Sequence, residues 1–305
     1  VLTHSFNTNT PSLHKESPRL VRSFGIQSNT FILGPPPAAS TAPAPLLDTP
    51  QQQKQNRTPD DRHSIMLHFY LFAVLSALAF RVTTAATVMA HFMLMNSFAY
   101  DVDMWKKDMA AAQQIGVDGF AINWTPPDCQ GDGSWYVDRI EDAYTAAEDM
   151  GFKLMYSFDM SYSVCNIYWN TTFMQDIITK HAGSSATYRW NSNILVSTYG
   201  GDMVGHYGNQ FFQTLKDNMK YWNNAITLAP ALTTYSMAGY TSPESSAKKL
   251  INDFPSIDGY FNWQAWPLNV DANITSTPDK AFQSALKNAG KTGPYIMGKC
   301  GKGVL

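Results

Sequence analysis

Residues 88–124, "VMAHFMLMNSFAYDVDMWKKDMAAAQQIGVDGFAINW", decide the fold. They open inside an apolar run, Thr87 to Leu94, of the length of a buried strand. The period then changes: "DVDMWKKDMAAAQQIG", residues 101–116, is amphipathic at helical spacing, and Gly116 is placed to close it. "DGFAINW", residues 118–124, returns to strand character. A strand, a helix and a strand in so short a stretch make a βαβ unit, and its two strands lie parallel.

The same alternation continues downstream. Strands are expected at "FKLMYSFDM" (152–160), "NILVSTYGG" (193–201), "AITLAPAL" (225–232) and "IDGYFNWQAWP" (257–267). Helices are expected at 136–151, closed by Gly151, and at 170–183, 209–222, 242–254 and 277–290, the last with Ser276 or Thr277 as cap and Pro278 in its first turn. "KTGPYIMG" (291–298) opens a seventh strand. Unbroken βα repeats argue for a parallel sheet. No G-x-G-x-x-G follows the first strand and no P-loop occurs, so a nucleotide-binding sheet is disfavoured. Polar and aromatic residues gather instead at the C-terminal strand ends: His91, Asn123, Trp124, Asp159, Tyr199, Asp202, Gln264 and Trp266. That distribution belongs to a (β/α)8 TIM-type barrel, with six βα units and the start of a seventh present.

Composition narrows the function. The 305 residues are 44% hydrophobic and carry a formal net charge of −2, with no basic run longer than Lys106-Lys107 or Lys248-Lys249. Nothing in that balance favours nucleic acid. The 17 Phe, 15 Tyr and 8 Trp suit a sugar groove, since a pyranose stacks its apolar face on a ring, and equally suit a large aromatic core. Cys129, Cys165 and Cys300 have no metal-ligand spacing, no His/Cys/Asp cluster occurs, and no metal or cofactor is expected. A Cys129–Cys165 disulfide is open to a secreted chain, with free thiols as the alternative.

Residues 1–65 read differently. They are rich in Pro, Ala, Gln and Ser, lack amphipathic period, and suit a disordered leader or a mistranslated upstream segment. Residues 66–86 have an apolar run, Leu67 to Phe80, followed by small residues, which is a signal-peptide pattern, although no Lys or Arg adjoins Met66. The run is short of the ~20 apolar residues of a membrane span. A mature chain beginning near Ala86 or Thr87, secreted and with no membrane association, is expected. The sequons at Asn170 and Asn273 fit a secreted glycoprotein, whereas Asn123, in a third, is placed too near the strand-end residues to carry a glycan.

Four segments carry a resemblance: "VMAHFMLMN" with the following "DVDMWKKDMAAAQQIGVDGFAINW", "AYTAAEDMGFKLMYSFDMS", "LVSTYGGD" and "DGYFNWQAWP". In order and spacing over residues 87–298 they resemble glycoside hydrolase family 71, the fungal α-1,3-glucanases or mutanases. The resemblance implies a secreted, extracellular enzyme of the cell wall that acts on α-1,3-glucan polysaccharide by inverting hydrolysis. It also implies a paired-acid segment, Trp-Asn-Asp-x-Gly-Glu-Ser, which this sequence does not contain; residues 299–305 depart from the family and read as an aberrant tail. Inversion needs two carboxyl groups ~6.5–9.5 Å apart. No glutamate falls at a strand end, and Asp159 and Asp202 are the carboxylates best placed to act, with Asp128 and Asp132 on the loop after the second strand. His91, Asn123, Trp124, Tyr199, Gln264 and Trp266 are the expected sugar contacts. The expectation is a monomeric, truncated α-1,3-glucanase of impaired activity. The alternatives are a non-catalytic carbohydrate-binding pseudoenzyme, or a different barrel hydrolase using Asp159 and Asp202 as its pair.

Overall fold

The computed structural model describes residues 30–33, 86–126, 134–161, 166–203, 205–235, 242–263 and 275–299. In chain order the elements are β1 (Thr30–Leu33), β2 (Thr87–Met93), α1 (Val102–Gln114), β3 (Gly119–Trp124), α2 (Ser134–Met150), β4 (Lys153–Asp159), α3 (Thr171–Lys180), β5 (Arg189–Trp190) and β6 (Asn193–Tyr199). They continue with α4 (Asn209–Tyr221), β7 (Ile226–Leu228), α5 (Pro243–Asp253), β8 (Tyr260–Asn262), α6 (Thr277–Asn288) and β9 (Tyr295–Lys299). This is the expected α/β alternation, with a parallel sheet at its centre.

The helices begin and end for local reasons. Asp101 caps α1 by accepting from the Met104 amide at 2.8 Å, Asn170 caps α3 through Phe173 at 2.8 Å, and Ser242 caps α5 through Ser245 at 3.1 Å. Gly116 and Gly151, which follow α1 and α2, take the left-handed backbone (φ 80° and 64°) that lets the chain turn back into a strand. On α1, Trp105, Met109 and Ala112 form the buried stripe.

β2, β3, β4, β6 and β7 pair parallel in that order, and β8 pairs parallel with β9. β7 reaches β8 through amides of Asp258 (2.9 Å) and Gly259 (3.1 Å), both donating to the Leu228 carbonyl, and through Phe261 donating to Pro230 at 3.0 Å. β1 pairs antiparallel with β9 on one side and β2 on the other. The strand contacts therefore return to where they began, in a ring of eight strands of which seven run parallel.

Two features of the sheet were not anticipated. Residues 30–33, read as part of an unstructured leader, form β1, because four consecutive β-compatible residues find two unpaired strand edges to bond. The parallel strands make six βα units and the opening strand of a seventh, as the repeat predicts, and β9 runs to Lys299. The short strand β5 was not anticipated: Asn191 and Ser192, with φ 49° and 71°, make a two-residue hairpin turn that folds Arg189–Trp190 back on β6. Residues 66–85 and 300–305, with all three cysteines and Asn273, lie outside the described residues.

Two apolar clusters follow from strand alternation. Phe120, Ile122, Trp124, Leu154, Tyr156, Phe158 and Val196 face the helices and form the larger core. Met89, Ala121, Met155, Leu195, Phe261 and Ile296 occupy the other face of their strands and, with Trp190, fill the ring interior.

Candidate functional site

Counting two residues at a time along each strand carries the interior from apolar to polar. Met89 is followed by His91, Ala121 by Asn123, Met155 by Ser157 and Asp159, Leu195 by Ser197 and Tyr199, and Phe261 by Trp263. The C-terminal end of the ring thus gathers His91, Asn123, Asp159, Tyr199 and Trp263.

Asp159 is buried, 8% exposed. One carboxylate oxygen accepts from the Ser161 amide at 2.9 Å, and the Asn123 side chain hydrogen-bonds to the same carboxyl group. Burial raises its pKa from the usual carboxylate value, and those two donors pull in the opposite direction. Its backbone is fixed as well: the Trp169 indole N–H donates to the Asp159 carbonyl at 2.7 Å. His91 is buried, and desolvation lowers its pKa from 6.5 to about 4, so at neutral pH the imidazole is uncharged. Trp263 stands edge-to-face with His91 (ring centroids 4.6 Å apart, 88° between planes) and also contacts Tyr199 at 4.9 Å and Phe261 at 5.0 Å. Trp263 and Tyr199 are partly exposed, so this wall of rings presents aromatic surface to solvent while three neighbours hold the indole in place. Ser157 Oγ, fully buried between Asn123 and Ser197 in strand register, has no hydrogen-bond partner.

The remaining expected residues separate. Trp124 is not in the site. Alternation sends Asn123 inward and Trp124 outward, where it is 2% exposed and packs against Tyr136 and Trp169 at 6.3 and 6.2 Å. Asp202 follows Gly200 and Gly201, whose positive φ (75° and 109°) turns the chain after β6, and it is a brace: one oxygen accepts from the Thr234 amide at 2.6 Å and the other is buried without a partner. Gln264, Trp266, Asp128 and Asp132 lie outside the described residues, as do all of 127–133, 162–165, 236–241 and 264–274, which follow the C-terminal ends of β3, β4, β7 and β8. Trp263 was missed by the sequence reading, although the two-residue step from the apolar Phe261 points to it. Among the described residues no cluster of three His, Cys, Asp or Glu could hold a metal. A cavity of about 670 Å³ lies on the outer surface between α5 and α6, away from these residues.

A strand-end group of neutral imidazole, carboxamide, buried carboxyl and fixed indole has the chemistry to hydrogen-bond hydroxyl groups and stack on an apolar ring face. The model of glycosyl hydrolase family 71 matches residues 84–300. The chain belongs to this family. A glucan endo-1,3-alpha-glucosidase of Schizosaccharomyces pombe, agn1, is 30% identical over 229 residues, 74% of this chain and 49% of its own length. A mutanase of Penicillium rubens is 31% identical over 210 residues, 67% of this chain and 40% of its own. The family 71 chain described here therefore spans less than half the length of either relative. Among solved structures, a GH99 endo-alpha-mannosidase of Bacteroides thetaiotaomicron is 11% identical at a TM-score of 0.42, over 62% of this chain and 53% of its own.

Proposed function

We propose that this family 71 chain binds α-1,3-glucan at the C-terminal end of a (β/α)8-type ring, and that the whole enzyme to which the ring belongs hydrolyses the polymer with inversion. The observation that carries the reading is the convergence of Asp159, Asn123, His91, Tyr199 and Trp263 on one end of the ring in a chain of this family. In this reading Trp263 stacks on a glucosyl ring, Asn123 and Asp159 hydrogen-bond its hydroxyls, and His91 supplies a neutral polar edge beside them.

Hydrolysis by the chain itself is proposed to be much impaired. Loss of a positioned general acid or base costs typically 10²–10⁴-fold. Of the two carboxylates placed at the strand ends, Asp202 spends one oxygen on the Thr234 amide. That engagement favours the second reading, a glucan binder without turnover. The chain is further proposed to be routed to the secretory pathway by residues 66–86 and to act as a monomer on cell-wall polysaccharide.

The test is co-sedimentation of the purified full-length chain with insoluble α-1,3-glucan, with release of reducing ends measured in the same tubes. Retention on α-1,3-glucan and not on β-1,3-glucan, lost in Asp159→Asn, supports the site. Equal retention on both polymers, or none, overturns it. Rapid release of reducing ends would replace the binder with an enzyme that uses Asp159 directly.

A further inference from the structure

β4 ends at Asp159, and the peptide that follows it is held at both of its polar groups. The Asp159 carbonyl accepts from the Trp169 indole N–H at 2.7 Å, and the Met160 amide donates to the Tyr199 carbonyl of β6 at 2.8 Å. A peptide unit is planar, so two such bonds fix the orientation of the whole plane. That plane decides where the next amide lies. The next amide is that of Ser161, which donates to the Asp159 carboxylate at 2.9 Å. The carboxyl group is therefore aimed by its own backbone, and the backbone is aimed by Trp169.

Trp169 is in turn held from a different loop. Its indole is buried between Phe158 and Phe173, with ring centroids 4.9 and 5.5 Å away. Its backbone amide donates to the Tyr207 hydroxyl at 2.8 Å. Tyr207 belongs to the connection between β6 and α4, and burial raises its pKa to about 12, so the phenol is neutral at neutral pH. Beside this bond Tyr168 stacks on His206 (ring centroids 3.7 Å apart, 10° between planes) and ties the same two loops again. Packing accounts for the rings. It does not account for two hydrogen bonds in series that end on the backbone of the buried strand-end carboxylate.

We propose that Trp169 and Tyr207 are positioning residues for the Asp159 carboxyl group, Trp169 through the Asp159–Met160 peptide and Tyr207 through Trp169. The connection after β6 thereby governs a group presented by β4. Neither side chain has to touch the sugar, yet both set how strongly it is held, a consequence that rests on the glucan-binding reading above.

The test titrates the full-length chain with soluble α-1,3-glucan oligosaccharides, using Trp169→Phe and Tyr207→Phe in the wild-type and the Asp159→Ala backgrounds. Tyr207→Phe keeps its ring and loses one hydroxyl, so it remains informative should Trp169→Phe fold poorly. In the wild-type background each substitution is expected to weaken binding by roughly 3–10-fold, the value of one hydrogen bond. With Asp159→Ala no carboxyl group is left to position, and the same substitutions are expected to cost less than about twofold. Equal losses in both backgrounds overturn the proposal, because neither a general loosening of the fold nor direct contact with sugar depends on the Asp159 side chain. Full affinity in both single variants overturns it as well. Hydrogen exchange on the unliganded chain is the second measurement. In both variants the Met160 and Ser161 amides are expected to exchange on the order of tenfold faster while those of β3 keep their protection, and unchanged exchange overturns the clamp. If exchange accelerates but the wild type binds no glucan, or binds it equally after Asp159→Ala, the positioning stands and the glucan reading falls.

Discussion

The two ends of the ring interior are built from the same strands two to four residues apart, and they differ in what burial does for them. At the N-terminal end Met89, Ala121, Met155, Leu195 and Ile296 pack on Trp190, whose indole N–H donates to the Thr292 carbonyl at 2.8 Å. Burial there is all gain. At the C-terminal end His91, Asn123, Ser157 and Asp159 are buried too, and there burial lowers the His91 pKa, raises that of Asp159 and leaves Ser157 Oγ without a hydrogen-bond partner. A fold gains no stability from holding an imidazole and a carboxyl group out of water. One end of the ring supplies the stability, and the other spends it on a surface that can recognise a polyol.

The largest expected effect of breaking that contrast is on the apolar side. Phe261→Ala removes a fully buried ring from the interior cluster and should destabilise the chain by about 3–5 kcal/mol. Denaturant unfolding measures it, and a loss below about 1 kcal/mol would mean that the interior is not packed as described.

At the polar end the first sign of strain is pH dependence. His91 titrates near 4 in the folded chain and near 6.5 when unfolded. Between those values the unfolded chain holds a proton that the folded chain does not, so stability is complete above about pH 6.5 and falls as the pH drops toward 4. One pKa unit corresponds to about 1.4 kcal/mol, which sets a loss of roughly 3 kcal/mol across the window. Unfolding curves at pH 7, 5.5 and 4 should show it, and His91→Gln should flatten that dependence. An equal slope in wild type and variant would remove His91 as the cause.

Asp159 reverses the usual sense for a carboxylate. Because burial raises its folded pKa, ionisation costs stability as the pH climbs above the unfolded value of 3.8. Asp159→Asn should therefore be at least as stable as wild type at pH 7, with any advantage vanishing below pH 3.8. The same substitution should weaken glucan binding by roughly 10–100-fold, the size of a hydrogen bond to a charged group. A variant that loses stability and binding together would make Asp159 a structural acceptor for Ser161 and nothing more.

Most of the fold was legible because it rests on local period. The step from helical to strand spacing around Gly116 and Gly151 marks real boundaries, and every described α-helix lies where its amphipathic pattern puts it. β5 was not legible from period, since a two-residue strand carries none, although the Asn191-Ser192 pair is hairpin chemistry. β1 could not be read at all, because its pairing depends on two edges that meet only after the ring has formed. The site was half legible. The strand-end positions of Asp159, His91, Asn123 and Tyr199 follow from the sequence, whereas the bond from the Thr234 amide to Asp202 depends on a loop contact that no local pattern shows.

The tryptophans give the smallest effect and the sharpest test of the two faces. Trp124 and Trp263 both end strands, yet alternation sends the first into the helix layer and the second to the ring's polar end. Trp124 carries a buried indole N–H without a partner. Trp124→Phe removes that orphan along with some volume, so the two effects oppose and the net change in stability should stay below about 1.5 kcal/mol, with glucan binding untouched. Trp263→Ala takes away a partly exposed ring at the edge of the interior cluster, and binding should fall by roughly 3–10-fold, the value of one aromatic contact. Titration of both variants with soluble α-1,3-glucan oligosaccharides decides between them. If Trp124→Phe lost the affinity and Trp263→Ala kept it, the sugar would be reading the outward face of β3, and the assignment of the polar end of the ring as the glucan site would fall with it.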